Sequence, residues 1–374
     1  MLDNVDTASM ESRLRAEIRS AKSGVDADCK RAELACYWAR LGKKRRAKLI
    51  LQALLDKNRS ELAPARSAWI HLLDGLIDFS MVADCPSRHK VTRADSIARL
   101  GGFVDMHALT SAWLAHYAYL SADAVAMSSH LLVSLQLASA SNHSAWCRSS
   151  LVVAQALHAT GHSKAAKAWY EKARRHAVAD GDQASLSALM HSRAWLDFNE
   201  ARSANFFEVV TRPELEKNVF AASSALNYDT LVQAAAAPTS LGLLRAQLLT
   251  ELNRHDEALE IFAAHFESGD AKAFDRLSPQ FLADRAWCDF HVGNVSEASR
   301  HASRAVELLP TGGFADDLAF CHRRLSRVFA CLGDAARAER HRLLAGEHWE
   351  QHLAYGERVA QAMKPLAAYL DDKP

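Results

Sequence analysis

The sequence predicts an all-α chain, a right-handed superhelix of about eight antiparallel helical hairpins, and three observations carry that expectation. First, Arg193-Ala194-Trp195-Leu196-Asp197-Phe198-Asn199 returns as Arg285-Ala286-Trp287-Cys288-Asp289-Phe290-His291, an echo long enough to mark an internal repeat. Second, alanines at Ala126, Ala166, Ala258, Ala298 and Ala338 recur in steps of about 40 residues, or about 92 where two units and some dozen extra residues intervene. Ala47 keeps the same beat toward the N-terminus. Third, 374 residues carry only 15 glycines and 8 prolines, too few breakers for the many turns of an all-β chain.

The elements follow in order. Residues 1–27 read as an N-terminal cap, with a modest amphipathic helix over 11–22 carrying Leu14 and Ile18. Residues 28–334 read as the repeat array. Its first hairpin spans about 28–58, with Ala35 and Trp38 facing inward, a turn at Leu41-Gly42-Lys43, and Ala47, Leu51 and Leu54 on the return helix. Glycine there supplies a left-handed C-cap. Pro64 opens a helix over 66–81, in which Trp69, Leu72, Leu73, Leu76 and Ile77 mark a 3.6-residue period. A looser connection with Pro86 leads into 94–100. The phrase Gly101-Gly102-Phe103-Val104-Asp105 returns as Gly312-Gly313-Phe314-Ala315-Asp316, a tight turn whose aspartate can cap the next helix. Neither copy is a dinucleotide-binding GxGxxG loop.

Helix 106–120 then turns at Ser121-Ala122-Asp123 into 126–138, and helix 145–159 turns at Thr160-Gly161-His162 into 165–179. The extra residues of the long step fall around 207–218, where Pro213 is expected to break the helical pattern. Residues 335–374 read as closing helices, one running from Ala335 toward Leu353 and, past Gly356, to Pro365.

A formal net charge of +1 gives no global argument for nucleic acid or an anionic membrane, and the basic run Lys43-Lys44-Arg45-Arg46-Ala47-Lys48 reads as a solvated helix start. Seven cysteines at irregular spacing, with no CxxC pair, fit a reducing compartment rather than a disulfide scaffold. The acidic N-terminus lacks an apolar core, and no apolar run approaches the roughly 18 residues needed to span a bilayer. A cytoplasmic location is expected.

The hairpins resemble tetratricopeptide repeats. Ala154, Gly161, Ala166, Tyr170 and Ala173 match that pattern in one unit; Ala286, Gly293, Ala298, Ala305 and Pro310 match it in another; Ala246, Ala258 and Phe262 match it in a third. Small residues at those places let helices approach closely. The period of about 40 departs from the family's value of about 34, which implies lengthened helices. The run from Ala177 to Trp195, with Gly181-Asp182-Gln183-Ala184 and Ser187-Ala188-Leu189-Met190-His191, is also similar to tetratricopeptide sensor regions that precede diguanylate cyclase domains in bacteria. No GGDEF sequence follows it here, so only an input-like or partner-binding role is implied.

The resemblance implies a binding module for a protein or peptide. First helices line the groove of such arrays, which would place Trp195, Phe198 and Asn199 there beside Trp287, Phe290 and His291. Aromatic surface with a polar neighbour suits a peptide; packing between hairpins is the competing role for both tryptophans. Arg323 and Arg327 lie one turn apart with Arg324 between them and can grip a carboxylate, or be neutralised by Asp316, Asp317 and nearby glutamates. His348 and His352, like His158 and His162, have a metal-binding spacing, but the order His-Trp-Glu-Gln-His lacks the zinc-protease glutamate. Neither a metal nor a cofactor is called for, and no nucleophile has an identifiable base. Two other expectations stand beside the binding module: a sensor for a small ligand or signal peptide, and an enzyme with an unrecognised site. The closing helix leaves Leu343, Leu344, Trp349, Leu353 and Tyr355 as an apolar face that must be capped by its own chain or paired in a homodimer.

Overall fold

The computed structural model describes residues 9–79, 86–204, 212–234, 238–267, 277–310 and 314–370. All regular structure among them is helical, with no strand, as the composition and periodicity predict. Helix α1 (Met10–Arg19) stands first. Eight pairs follow: α2 (Gly24–Arg40) with α3 (Lys44–Ser60), α4 (Pro64–Ile77) with α5 (Pro86–Leu100), α6 (Val104–Leu120) with α7 (Ala124–Leu137), and α8 (His143–Ala159) with α9 (Ser163–Ala179). Then come α10 (Gln183–Ala204) with α11 (Arg212–Val232), α12 (Pro238–Glu251) with α13 (His255–Glu267), α14 (Ser278–His291) with α15 (Val295–Glu307), and α16 (Ala315–Cys331) with α17 (Ala335–Met363). A 3-10 turn (Lys364–Tyr369) closes the described chain, and no helix among the described residues is long and apolar enough to cross a membrane.

The six hairpin turns among the described residues share one geometry, with Gly42, Ala122, Gly161, Asn253, Gly293 or Gly333 at positive φ. At Gly161 (φ 79°) the chain enters the left-handed region, and the N–H of His162 reaches back to the carbonyl of Leu157 at 2.8 Å, satisfying an orphan group at the end of α8. Ala122 occupies the equivalent place between α6 and α7 at φ 54°, where a Cβ is strained. The turn sets the register of the return helix, whose fourth residue is Ala47, Ala166, Ala258, Ala298 or Ala338 in five hairpins, all buried under the first helix. In the α6–α7 hairpin that place belongs to Met127, fully buried, whereas Ala126 is only half-buried. The alanine expected there is one residue out of register, because Asp123, whose carboxylate accepts from the N–H of Ala126, caps a helix that starts at Ala124, one residue later than the alanine spacing implies.

Three further expectations are corrected. Pro213 lies in the first turn of α11, where a missing N–H costs nothing, and does not interrupt the helix; the long step is taken up by the lengths of α10 and α11, 22 and 21 residues. The part of the expected interruption before Arg212, and Gly312 and Gly313, lie outside the described residues. Asp105 does not cap α6: its carboxylate accepts from Asn142 Nδ2 at 3.3 Å, at the start of the next hairpin.

First helices form an inner layer and second helices an outer one. From Cys147 to His158 every residue of α8 is buried, so that helix is enclosed on all sides, while α15 buries only Ala298, His301, Ala302 and Ala305. Both ends of the array dock on its middle. The N–H of Met10 donates to the carbonyl of Gly181 at 3.1 Å, Arg13 pairs with Asp180 at 2.6 Å, and Arg40 pairs with Asp182 at 2.7 Å, joining α1 and α2 to the start of α10. At the other end, Tyr355, Val359, Met363 and Leu366 share one apolar core with Met127, Leu131 and Leu157, and Ser128 Oγ donates to the Ala362 carbonyl at 2.6 Å. Helix α17 continues through Gly356, where a Cβ would stand 3.4 Å from that of Thr160. Trp349 and Tyr355 of the expected apolar face are therefore covered by the chain itself, while Leu343 and Leu353 remain 52% and 54% exposed.

Candidate functional site

The two copies of the Arg-Ala-Trp phrase fall on α10 and α14, both first helices, but at different depths. In α10 the helix runs on to Ala204, so its copy lies among neighbours: Phe198 is fully buried, Asn199 is buried, and Trp195 is half-buried with its ring edge on Phe281 at 6.3 Å. Phe198 is thus core rather than groove, and Trp195 fills the space between α10, α12 and α14. In α14 the copy ends the helix. Trp287 and Phe290 are half-buried and His291 is exposed, so this second copy is the one that reaches a surface.

Beneath Trp287 lies a network of buried charge. Asp284, one turn before it, is 1% exposed and accepts from Arg324 Nε at 2.7 Å and from Gln247 Nε2 at 2.7 Å. Arg324 also donates to Glu251 at the end of α12. Arg202 of α10 stands 3.7 Å from Glu251 and 3.8 Å from Asp284, with its guanidinium between the rings of Phe198 and Phe320 at 5.2 and 4.8 Å. Four first helices are tied together by these groups. Burial alone would pull the Arg324 guanidinium down, but Glu251 and then Asp284 outweigh it and hold it above its ordinary range.

That network displays the outer residues. The Trp287 ring carries the Arg324 guanidinium at 5.2 Å, that of Arg327 at 5.0 Å, and the His291 ring at 4.4 Å. His291 in turn stacks on His255 at 4.7 Å. Arg323 is half-buried one turn before exposed Arg327. Burial first and Arg327 next push Arg323 down to about 10; burial and then Arg324 push Arg327 down as well. The side chains therefore sit in a field that favours an arriving negative charge. Burial, then the neighbouring Arg324, likewise lowers His291.

Of the residues expected at the site, Trp287, His291, Arg323 and Arg327 come together on α14 and α16, whereas Trp195, Phe198 and Asn199 do not join them. Glu251, a glutamate of α12, acts on the charges of both Arg323 and Arg327. Asp316 faces His352, 3.9 Å away, while Glu251 and Asp284 do the pairing, and they pair Arg324. Sequence reasoning passed over Asp284, although its place one turn from Gln280 and Cys288, both buried, puts it on the inner face of α14.

The histidine pairs spaced for a metal do not act as pairs. His162 is exposed beside Thr160, whereas His158 is buried, with Nε2 at 3.2 Å from Glu200 and 3.5 Å from Asp197 and Nδ1 at 3.3 Å from the Tyr170 hydroxyl. The three donor atoms of His158, Asp197 and Glu200 lie within 4.8 Å of one another, close enough for one divalent cation, but His158 Nε2 already meets the Glu200 carboxylate directly at 3.2 Å. His348 stacks on His322 while His352 packs on Trp349, so these two diverge. Burial pushes the thiols of Cys29, Cys147 and Cys288 up to about 11, 11 and 12 and those of Cys36 and Cys321 further, so none of the five is a thiolate at neutral pH.

Fold and site define a class, an all-α chain of stacked helical hairpins with an aromatic and cationic face built on buried ion pairs. Compared with models of known protein families, the chain matches none.

Proposed function

We propose that the chain is a helical-repeat binding module of the tetratricopeptide kind, acting by binding rather than by turnover, and that its α14–α16 face takes an acidic segment of a partner protein. One observation carries this reading: Trp287 is held under two guanidiniums, those of Arg324 and Arg327, with His291 at its edge. The half-buried aromatic surface supplies contact area, and a planar guanidinium beside it can donate two N–H groups to a carboxylate. The buried Asp284–Arg324–Glu251 network below keeps that face rigid, so little order has to be imposed on binding. The hairpin register and the αL turns support the tetratricopeptide kinship. The right-handed superhelix belongs to the same proposal. A homodimer through the closing helix loses support, since Trp349 and Tyr355 are used within the chain.

Fluorescence polarisation with short Asp/Glu-rich peptides tests the proposal. Affinity for such peptides should fall with salt and should drop about tenfold or more on Arg327→Glu or Trp287→Ala. Equal binding of acidic, neutral and basic peptides, or wild-type affinity in both folded variants, would refute it.

A further inference from the structure

Where α8, α9 and α10 pack together, three metal-binding side chains converge. His158, in the last turn of α8, is 5% exposed. Asp197 and Glu200 lie three residues apart on α10 and so share the face turned to it. His158 Nε2 stands 3.2 Å from Glu200 Oε2 and 3.5 Å from Asp197 Oδ1, and among the described residues this is the one place where three such donors gather. Spacing along the chain pairs His158 with His162 and offers it no acid; the next hairpin supplies two.

Geometry separates this cluster from a simple ion pair. Elsewhere in the chain a buried histidine meets one carboxylate closely, as His301 meets Asp289 at 2.7 Å. At His158 both contacts exceed the roughly 2.7 to 2.9 Å of a charge-assisted hydrogen bond. One Nε2–H cannot serve two carboxylates, whereas one cation takes a lone pair from each of three groups. The other ring nitrogen has its own partner: Nδ1 lies 3.3 Å from the Tyr170 hydroxyl. A proton held there leaves the Nε2 lone pair turned to the acids, the orientation a metal-bound histidine takes. Arg193 stands 3.7 Å from the other Asp197 oxygen, Oδ2, leaving Oδ1 to His158, and Ser163 hydrogen-bonds Glu200 from the start of α9. We propose that His158, Asp197 and Glu200 bind one divalent metal ion, Zn²⁺ by preference, with a fourth position open to water beside the exposed Glu200. An ion about 2.1 Å from each donor sees Nε2 and the two oxygens at about 100° and about 113°, near the tetrahedral angle that zinc takes. The imidazole favours Zn²⁺ over Mg²⁺, and the two carboxylates balance its charge.

Calorimetric titration of the chelator-stripped full chain with zinc chloride, and with magnesium chloride beside it, tests the assignment. Zn²⁺ should saturate one tight site per chain at micromolar concentration, and Mg²⁺ should bind about tenfold or more weakly. Glu200→Gln and Asp197→Asn keep the shapes of the side chains and should each weaken Zn²⁺ about tenfold or more. The rise in melting temperature that Zn²⁺ gives the wild type should vanish in both. Glu200 is exposed, so Glu200→Gln carries the test if Asp197→Asn does not fold. Two other pairs of histidines face each other, His143 with His176 and His322 with His341, Nδ1 to Nδ1 at 3.0 and 2.8 Å; His143→Asn and His322→Asn should leave the tight site as it is. Absence of saturable Zn²⁺ binding, equal affinity for Mg²⁺, wild-type affinity in folded Glu200→Gln, or loss of the site in either histidine variant would overturn the proposal.

Discussion

Replacing Asp284 by asparagine tests whether the last four hairpins are held by buried charge. Asp284 is 1% exposed and meets Arg324 at 2.7 Å, Gln247 at 2.7 Å and Arg202 at 3.8 Å. Its loss leaves two buried guanidiniums to share Glu251. Breaking a buried ion pair from one side costs about 3 to 5 kcal/mol; asparagine keeps the shape and one acceptor oxygen, so Asp284→Asn should cost about 3 kcal/mol. Removing both partners leaves no orphan charge. The double variant Asp284→Leu with Arg324→Met should therefore be more stable than the sum of its single losses by about 2 to 3 kcal/mol. Urea unfolding followed by far-ultraviolet circular dichroism measures all four corners of the cycle. A cost below about 1 kcal/mol for Asp284→Asn, or an additive cycle, would show that the network is not what joins α10, α12, α14 and α16.

The other expectations are briefer. Trp195→Ala should lower stability by about 3 kcal/mol because its ring fills the space between two cores, whereas Trp287→Ala should cost less in urea unfolding and act on peptide binding; equal stability losses would contradict the assignment of the two copies. Ala122→Gly should stabilise the α6–α7 hairpin by up to about 1 kcal/mol, since φ 54° is strained for alanine, and a loss of stability would argue against that turn. Gly356→Val should cost about 1 to 3 kcal/mol and speed proteolysis of the chain after residue 355, because its side chain would press on Thr160; unchanged protection would deny the docking of α17. His116 and His322 have pKa values pushed down to about 3 and about 4, by burial first in both. They stay neutral in the folded chain, while the unfolded chain takes up their protons near pH 6.5. Their stabilising effect is thus whole well above pH 6.5 and is lost as pH falls toward 4, by about 3 kcal/mol for the two between pH 6.5 and 5. His322→Asn should remove about half of that drop in urea unfolding at the two pH values.

Local structure was legible in the sequence because each hairpin is a local event. The turn glycines, the alanine under the first helix and the 3.6-residue period all act within some forty residues, so the helices and their pairing follow from spacing along the chain, as does the shared face of Arg323 and Arg327, while Trp287 and His291 were placed beside a groove only by the tetratricopeptide resemblance. What spacing could not supply is which hairpin meets which at a distance. Arg40 finds Asp182 across 142 residues and Ser128 finds Ala362 across 234, and nothing local in either partner marks the match. The way the hairpins stack on one another decides those meetings. That stacking buries Phe198 while leaving Trp287 half-buried in an otherwise similar phrase, and it sets Asp284 against Arg324.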